Sequence, residues 1–267
     1  MLELLSYAFI QNALLAGIIV SIITAIIGTL VVSNKMVFLS GGIAHSAYGG
    51  VGLAIFFGLP MLLSTSLFCV FVTIIIALAS YKNKENLDIL IGLTWAVGMS
   101  FGIILADLTP GYQADLMSYL FGSLLAVTHD DINYMASLLV IVLIIIVTFY
   151  RDILAVSYDT EYAKLRGVKT KFFYTLILIL SSLTIVISIK VVGLILVIAL
   201  LTIPIYIASF YCKNLLSMMI VSAILSIIFT IIGLCISYEF DISSGPSIIM
   251  TSSLCALVTF IFKSIRN

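Results

Sequence analysis

Ser40-Gly41-Gly42-Ile43-Ala44-His45-Ser46-Ala47-Tyr48-Gly49-Gly50-Val51-Gly52 is an apolar stretch in which five of thirteen residues are glycine, and it carries one of the chain's two histidines. Read as a helix, it sets Gly41, His45, Gly49 and Gly52 on one face, because residues three and four apart are neighbours. Gly42, Ser46 and Gly50 form a second, adjacent stripe of small residues, a packing face for helices in a membrane. Bulk is missing around the imidazole, and the backbones of neighbouring helices can come close. Within a membrane span, a titratable and metal-competent group marks a functional site by default. The competing reading is a packing histidine that hydrogen-bonds a neighbouring helix.

The surrounding composition places that stretch in a membrane. The 267 residues are 63% hydrophobic and 9% charged, with a mean hydropathy of +1.32. A soluble domain carries about 25% charged residues, and no soluble core could bury this much apolar surface. The apolar runs are long enough for helices rather than barrel strands. The expected fold is therefore an all-α polytopic membrane protein, a single transmembrane domain over residues 1–267. It has about eight or nine transmembrane helices plus a short re-entrant or half-helix segment. The formal net charge is zero, which points to no nucleic-acid partner. Cys69, Cys212, Cys235 and Cys255 are scattered in or beside apolar segments and form no CxxC pair, so neither a disulfide framework nor a thiolate metal site is indicated. The first apolar run follows Glu3 instead of a basic segment and is too long for a signal-peptide core, which argues against a cleavable leader.

Outward from the glycine-rich stretch, spans are expected at about Phe9–Val32, through the His45 segment to Gly58, and at Met61–Ser80 and Leu87–Ala106. Further spans are expected at Ile132–Tyr150, Phe172–Ile189, Val191–Tyr211, Leu215–Ser237 and Ser247–Phe262. Lys190 separates two of these and Pro204 breaks the second. Leu116–Val127 is too short for a full crossing. Thr128 is a plausible N-cap for the helix after it, with Asp130 and Asp131 in its first turn. The basic residues put the Lys35, Lys82/Lys84 and Arg151–Lys171 loops, Lys213 and the tail in the cytoplasm. The acidic loops around Asp107/Asp115 and Glu239/Asp241 then lie outside, as does the N-terminus.

Residues 151–171 hold eight of the chain's 24 charged residues and form a coupling loop. Within it, Ser157 to Gly167 reads as one short helix. Ser157 can cap it, Asp159 and Glu161 sit near its start, Lys164 and Arg166 near its end, and Gly167 can take the left-handed stop. Tyr158, Tyr162 and Leu165 share one face. A helix this short is marginal in water and must lean on something: a cytoplasmic subunit or, alternatively, the lipid headgroups. No G-x-x-x-x-G-K-[ST] occurs in the chain, so ATP-driven work needs a separate protein and the chain is not expected to be an enzyme.

Several stretches, in order, resemble one family. They are Gly42–Ala47, Asp115–Val127, Asp159–Val168, Val192–Pro204 and Asp241–Ile248, and together they cover nearly the whole chain. The chain is similar to the membrane permease subunit of bacterial ABC transporters that take up zinc, manganese or iron. The resemblance implies a bacterial inner or plasma membrane, a homodimeric or pseudo-dimeric pore, and two ATP-binding subunits docked on the Glu161–Gly167 helix. It further implies an extracytoplasmic metal-binding protein outside, with a divalent metal ion as substrate and no permanently bound cofactor. His45 is the expected metal contact, and Asp115 a second candidate. The coupling residues are Tyr158, Asp159, Glu161, Tyr162, Leu165 and Gly167. Many members carry an acidic residue one turn before the histidine; Gly41 stands there in this chain, which leaves the metal preference open.

Other residues carry two readings each. Asp107, Asp115 and Asp241 either guide a cation or meet a docking protein, or are solvated loop and cap residues. His129 is read as structural or interfacial, and Trp95 as a packing or lipid-facing residue. Two other functions remain open from residues alone: an ion-coupled secondary carrier in which His45 relays protons, and a non-transporting membrane scaffold.

Overall fold

The structure is a computed structural model that describes residues 8–81, 87–109, 122 and 127–266. Among them every regular element is helical. In chain order the helices are α1 (Ala8–Ser33), α2 (Val37–Phe57), α3 (Met61–Ser80), α4 (Leu87–Asp107), α5 (His129–Tyr158), α6 (Thr160–Leu165), α7 (Thr170–Ser209), α8 (Leu215–Glu239) and α9 (Ser244–Arg266). Seven of them are long and apolar enough to cross a membrane: α1, α3, α4, α5, α7, α8 and α9. The 21-residue α2 has the length but is not among the seven, because its glycines, serines and His45 dilute its apolar content. Leu116–Val127 lies, apart from Gly122 and Val127, outside the described residues, as does Asp115.

Three local expectations change. The two spans expected at Phe172–Ile189 and Val191–Tyr211 are two helical segments of α7 (Thr170–Ser209), but they meet at Gly193 and not at Lys190. Gly193 has φ 79° and ψ 166°, a region essentially reserved for glycine. The segments 170–192 and 194–209 are about 35 and 24 Å long at 1.5 Å per residue. Pro204 does not break the helix, which runs on to Ser209. It falls in the third turn after Gly193, where the loss of one hydrogen bond is tolerated within an apolar bundle. Finally, the first segment of α5 closes at the non-helical Phe149 (φ −110°, ψ 20°), beside the expected end at Tyr150, but a second helical segment runs on to Tyr158, so the charged Arg151 and Asp152 lie on a helix rather than in a loop.

The chain divides into two compact units, one of Met1–Val32, Met117–Ile144 and Ser188–Asn267, the other of Ser33–Leu116 and Ile145–Ile187. In the first unit, Ser21 Oγ and Thr230 Oγ1 share a hydrogen bond of 3.0 Å between α1 and α8. A Cβ on Gly28 would stand 2.7 Å from the Leu201 carbonyl oxygen, and one on Gly233 would stand 2.6 Å from Ile248 Cα. These glycines let α1 and α8 seat against α7 and α9 backbone to backbone. The start of α5 is a reciprocal cap. The Asp131 N–H donates to Thr128 Oγ1 at 3.3 Å, and Thr128 N–H and Oγ1 donate to Asp131 Oδ2 at 3.1 and 2.8 Å. Lys190 Nζ donates to the other carboxylate oxygen, so a lysine inside the apolar α7 has its partner.

In the second unit, α2 packs mainly on α4 and α3. A Cβ on Gly102 would stand 2.1 Å from the Tyr48 carbonyl oxygen, and one on Gly98 would stand 2.8 Å from Ser46 Cα. A Cβ on Gly52 would meet the Gly102 carbonyl oxygen at 2.4 Å. On the α3 side, a Cβ on Gly50 would stand 2.5 Å from Thr65 Cα, and Ser64 Oγ donates to the Gly50 carbonyl at 3.0 Å. The far end of α3 is tied to α7 by Ser80 Oγ with Tyr174 OH (3.0 Å) and Tyr81 OH with Thr170 Oγ1 (2.8 Å).

The α2–α4 contact leaves no room for a methyl group and no flexible side chain to yield. Gly102→Ala is expected to destabilise the protein by about 1–3 kcal/mol, the usual cost of overpacking. Gly92, on the same helix with nothing within 4 Å of its Cβ position, is the control. Gly92→Ala should leave stability unchanged or raise it by up to about 1 kcal/mol. Thermal unfolding of both variants in one detergent separates the two outcomes.

Candidate functional site

His45 sits at the middle of α2, half-buried, between the glycines that carry α3 and α4. Those glycines do not leave an open space. Gly49 is filled by the Phe68 ring at 2.4 Å, and Gly52 by the backbone of Gly102. What they permit is the approach of α4, which lays Trp95 flat on the imidazole: the ring centroids are 4.1 Å apart and the planes 9° from parallel. Phe38 continues the row, 6.5 Å from the Trp95 ring. A stacked aromatic pair contributes about 0.5–1.5 kcal/mol beyond its buried area.

The His45 Nδ1 atom is buried and has no hydrogen-bond partner. The packing reading required a bond to a neighbouring helix, and that bond is absent at this atom. Leaving a buried polar atom unsatisfied costs about 1–3 kcal/mol, so the arrangement calls for a reason beyond stability. Gly41, one turn before His45, is buried and supplies no carboxylate. Among the described residues no group of three or more His, Cys, Asp and Glu side chains is placed to hold a metal. What His45 offers an ion is one imidazole, a borderline ligand that suits zinc, iron and other transition metals.

Trp95, read as a packing or lipid-facing residue, does pack, and what sequence reasoning did not foresee is that its partner is His45. The signal was present in α4: Trp95, Gly98 and Gly102 are spaced i, i+3 and i+7, one helical face. The two glycines on it are the ones that touch α2.

The coupling segment takes the expected form with one correction. The cap of α6 is Asp159, not Ser157: Asp159 is extended and its Oδ1 accepts from the N–H groups of Glu161 and Tyr162, both at 3.0 Å. Ser157 lies within α5, and its Oγ accepts from Asn34 Nδ2 at 3.0 Å. A carboxylate caps better here because it also meets the positive end of the helix. Gly167 takes the left-handed stop at φ 77°. The Gly167 N–H bonds to the Lys164 carbonyl and the Val168 N–H to the Ala163 carbonyl, a Schellman closure. Lys164 Nζ reaches Glu161 Oε1 at 2.7 Å, and that bond holds the lysine's pKa above its usual value. Ala163 is fully buried and anchors one side of α6. Tyr162 and Leu165 on α6 are exposed over 52% and 88% of their surface, and Tyr158, expected on the same helical face, is instead the last residue of α5, 67% exposed and separated from α6 by the extended Asp159.

The remaining candidates sit apart. Asp107 is exposed at the end of α4, and Asp241 is exposed in the α8–α9 turn at φ 51°. His129 is the exposed first residue of α5, while Asp131, two residues on, is buried and paired with the half-buried Lys190.

The family model described as the ABC 3 transport family matches residues 6–263. The chain is 33% identical over 258 residues to the membrane protein ZnuB of a high-affinity zinc uptake system of Haemophilus influenzae, covering 95% of this chain and 97% of that one. It is 31% identical over 254 residues to the permease protein ScaB of a manganese import system of Streptococcus gordonii, covering 95% and 91%. Among solved structures it superposes on PsaBC from Streptococcus pneumoniae in complex with Fab, with a TM-score of 0.85, 30% identity, and coverage of 96% and 92%. A chain whose described residues form only helices, seven of them apolar and of membrane length, and which is matched over almost its whole length in this way, is a multi-pass membrane protein and belongs to the ABC 3 transport family.

Proposed function

We propose that this chain is the pore-forming permease subunit of an ATP-driven importer of divalent metal cations, zinc, manganese or iron. It works with a separate ATP-binding subunit in the cytoplasm and a metal-binding protein outside, and two copies form the pore. The observation that carries the reading is the imidazole of His45: at the glycine-packed seam of α2 and α4, its Nδ1 is buried without a hydrogen-bond partner. Family membership and the zinc and manganese systems among its relatives supply the substrate class.

In this reading the ion meets His45 on its way through the membrane. A single imidazole with glycine where a carboxylate often stands makes a weak site, and a transport site must release what it binds. The energy comes from elsewhere, because the chain has no phosphate-binding loop. It enters through α6, whose caps at Asp159 and Gly167 make a six-residue helix rigid enough to transmit a push. The exposed Tyr162 and Leu165 of α6, with Tyr158 at the end of α5, seat in the ATP-binding subunit.

Two experiments test the two halves. His45→Ala should abolish metal uptake by the reconstituted complex, with zinc, manganese and iron offered in competition, while assembly stays intact. Uptake at the wild-type rate would reduce His45 to a packing residue. Burying a leucine is worth about 1.5–3 kcal/mol, so losing Leu165 from the interface should weaken the ATP-binding subunit's attachment about 10- to 100-fold. Leu165→Asp should show at least that loss on co-purification, since it adds an unpaired charge. Gly167→Val should act in the same direction but more mildly, straining the left-handed stop by about 1–2 kcal/mol. Neither change should alter metal binding at His45. Normal coupling in Leu165→Asp would mean that α6 rests on the membrane surface instead.

A further inference from the structure

A histidine that ligates a metal through one ring nitrogen ordinarily donates the N–H of the other to a carboxylate, carbonyl or water, which fixes the ring plane. His45 lacks this support: its Nδ1 is buried without a partner. An imidazole with no such anchor turns about its Cβ–Cγ bond, a broad torsion with weak intrinsic preference. The ring is nevertheless held, because Trp95 lies against it at 4.1 Å and 9°.

We propose that Trp95 is the positioning residue for ion binding at His45, fixing the imidazole plane by stacking in place of the missing hydrogen bond. The proposal rests on the reading of His45 as an ion contact. The indole is no ligand itself, since its only polar group is an N–H donor. Its contribution is geometric and electrostatic. The stack fixes the direction of the ring nitrogens before the ion arrives. When the ion binds, the imidazole becomes part of a cationic group against the negative face of the indole, an interaction that strengthens with charge. The position of Trp95 is itself secured by Gly98 and Gly102, whose contacts with α2 backbone fix how closely α4 approaches. Trp95 acts on the ion through His45, unlike a residue that lines a path.

Trp95 is the only tryptophan in the chain, so the intact protein reports on its own site. The full chain in lipid nanodiscs is titrated with Zn²⁺ alone, with binding read by radioactive zinc and, separately, by tryptophan emission. In the wild type the emission should change with the same midpoint as zinc binding, and His45→Ala should abolish both. Trp95→Ala should weaken zinc binding about 10-fold, the lower end of the effect of removing a ligand's orienting partner. Trp95→Phe keeps a stacking face and should stay within about threefold of wild type. Zinc bound equally well by Trp95→Ala but not by His45→Ala would overturn the positioning role and leave the ion site standing. Zinc bound normally by His45→Ala would overturn the ion site, and this inference with it. Should Trp95→Ala not fold, wild-type emission that ignores zinc bound through His45 would also overturn the role.

Discussion

The close approach of α2 and α4 is the constraint on which the rest of the second unit depends. Backbone touches backbone there: a single methyl on Gly102 would stand 2.1 Å from the Tyr48 carbonyl oxygen, and one on Gly98 would stand 2.8 Å from Ser46 Cα. In a bilayer no hydrophobic force drives two apolar helices together, so contact has to come from close packing, which only small residues permit. That packing determines the setting of His45. The glycines do not excavate a chamber around the imidazole. They bring a second helix near enough to lay an aromatic ring on it, and they do so at a polar atom left without a partner.

The first unit solves a different problem, how to keep charge inside apolar helices. Lys190 lies near the end of the first segment of α7, which is otherwise uncharged from Phe172 to Ser209. Its partner is Asp131, which also closes the cap at the start of α5 with Thr128. One buried carboxylate therefore serves a helix end and a half-buried cation together, and burying a charge is tolerated when it is paired and its remaining lone pairs are used in this way. Three residues on, Gly193 breaks the helix. The described Gly122 packs against it: its Cβ position stands 2.2 Å from the Gly193 nitrogen.

Much of this was legible in the sequence, and the parts that were not share a cause. Span positions follow from runs of apolar residues, a local property. The α6 helix was readable because capping carboxylates, a closing glycine and opposed charges all act within a turn or two. Even so, the cap was placed at Ser157, and the continuation of α5 to Tyr158 moves it to Asp159. The break in α7 was misplaced because Lys190 and Pro204 look like interruptions in one dimension. The lysine's partner lies 59 residues away in sequence, and the proline's missing bond is tolerated. The stacking of Trp95 on His45 was not legible for the same reason: the partner lies on another helix, although the spacing of Trp95, Gly98 and Gly102 marked the face.

At the centre of the proposed transport role is direct contact between the imported ion and the His45 imidazole. X-ray absorption at the zinc edge, on the zinc-loaded full chain in lipid nanodiscs, tests it without requiring transport or a partner. Imidazole scattering at a zinc–nitrogen distance of about 2.0–2.1 Å is predicted in the wild type, and it should vanish in His45→Ala. An imidazole signature that persists unchanged in His45→Ala would contradict it.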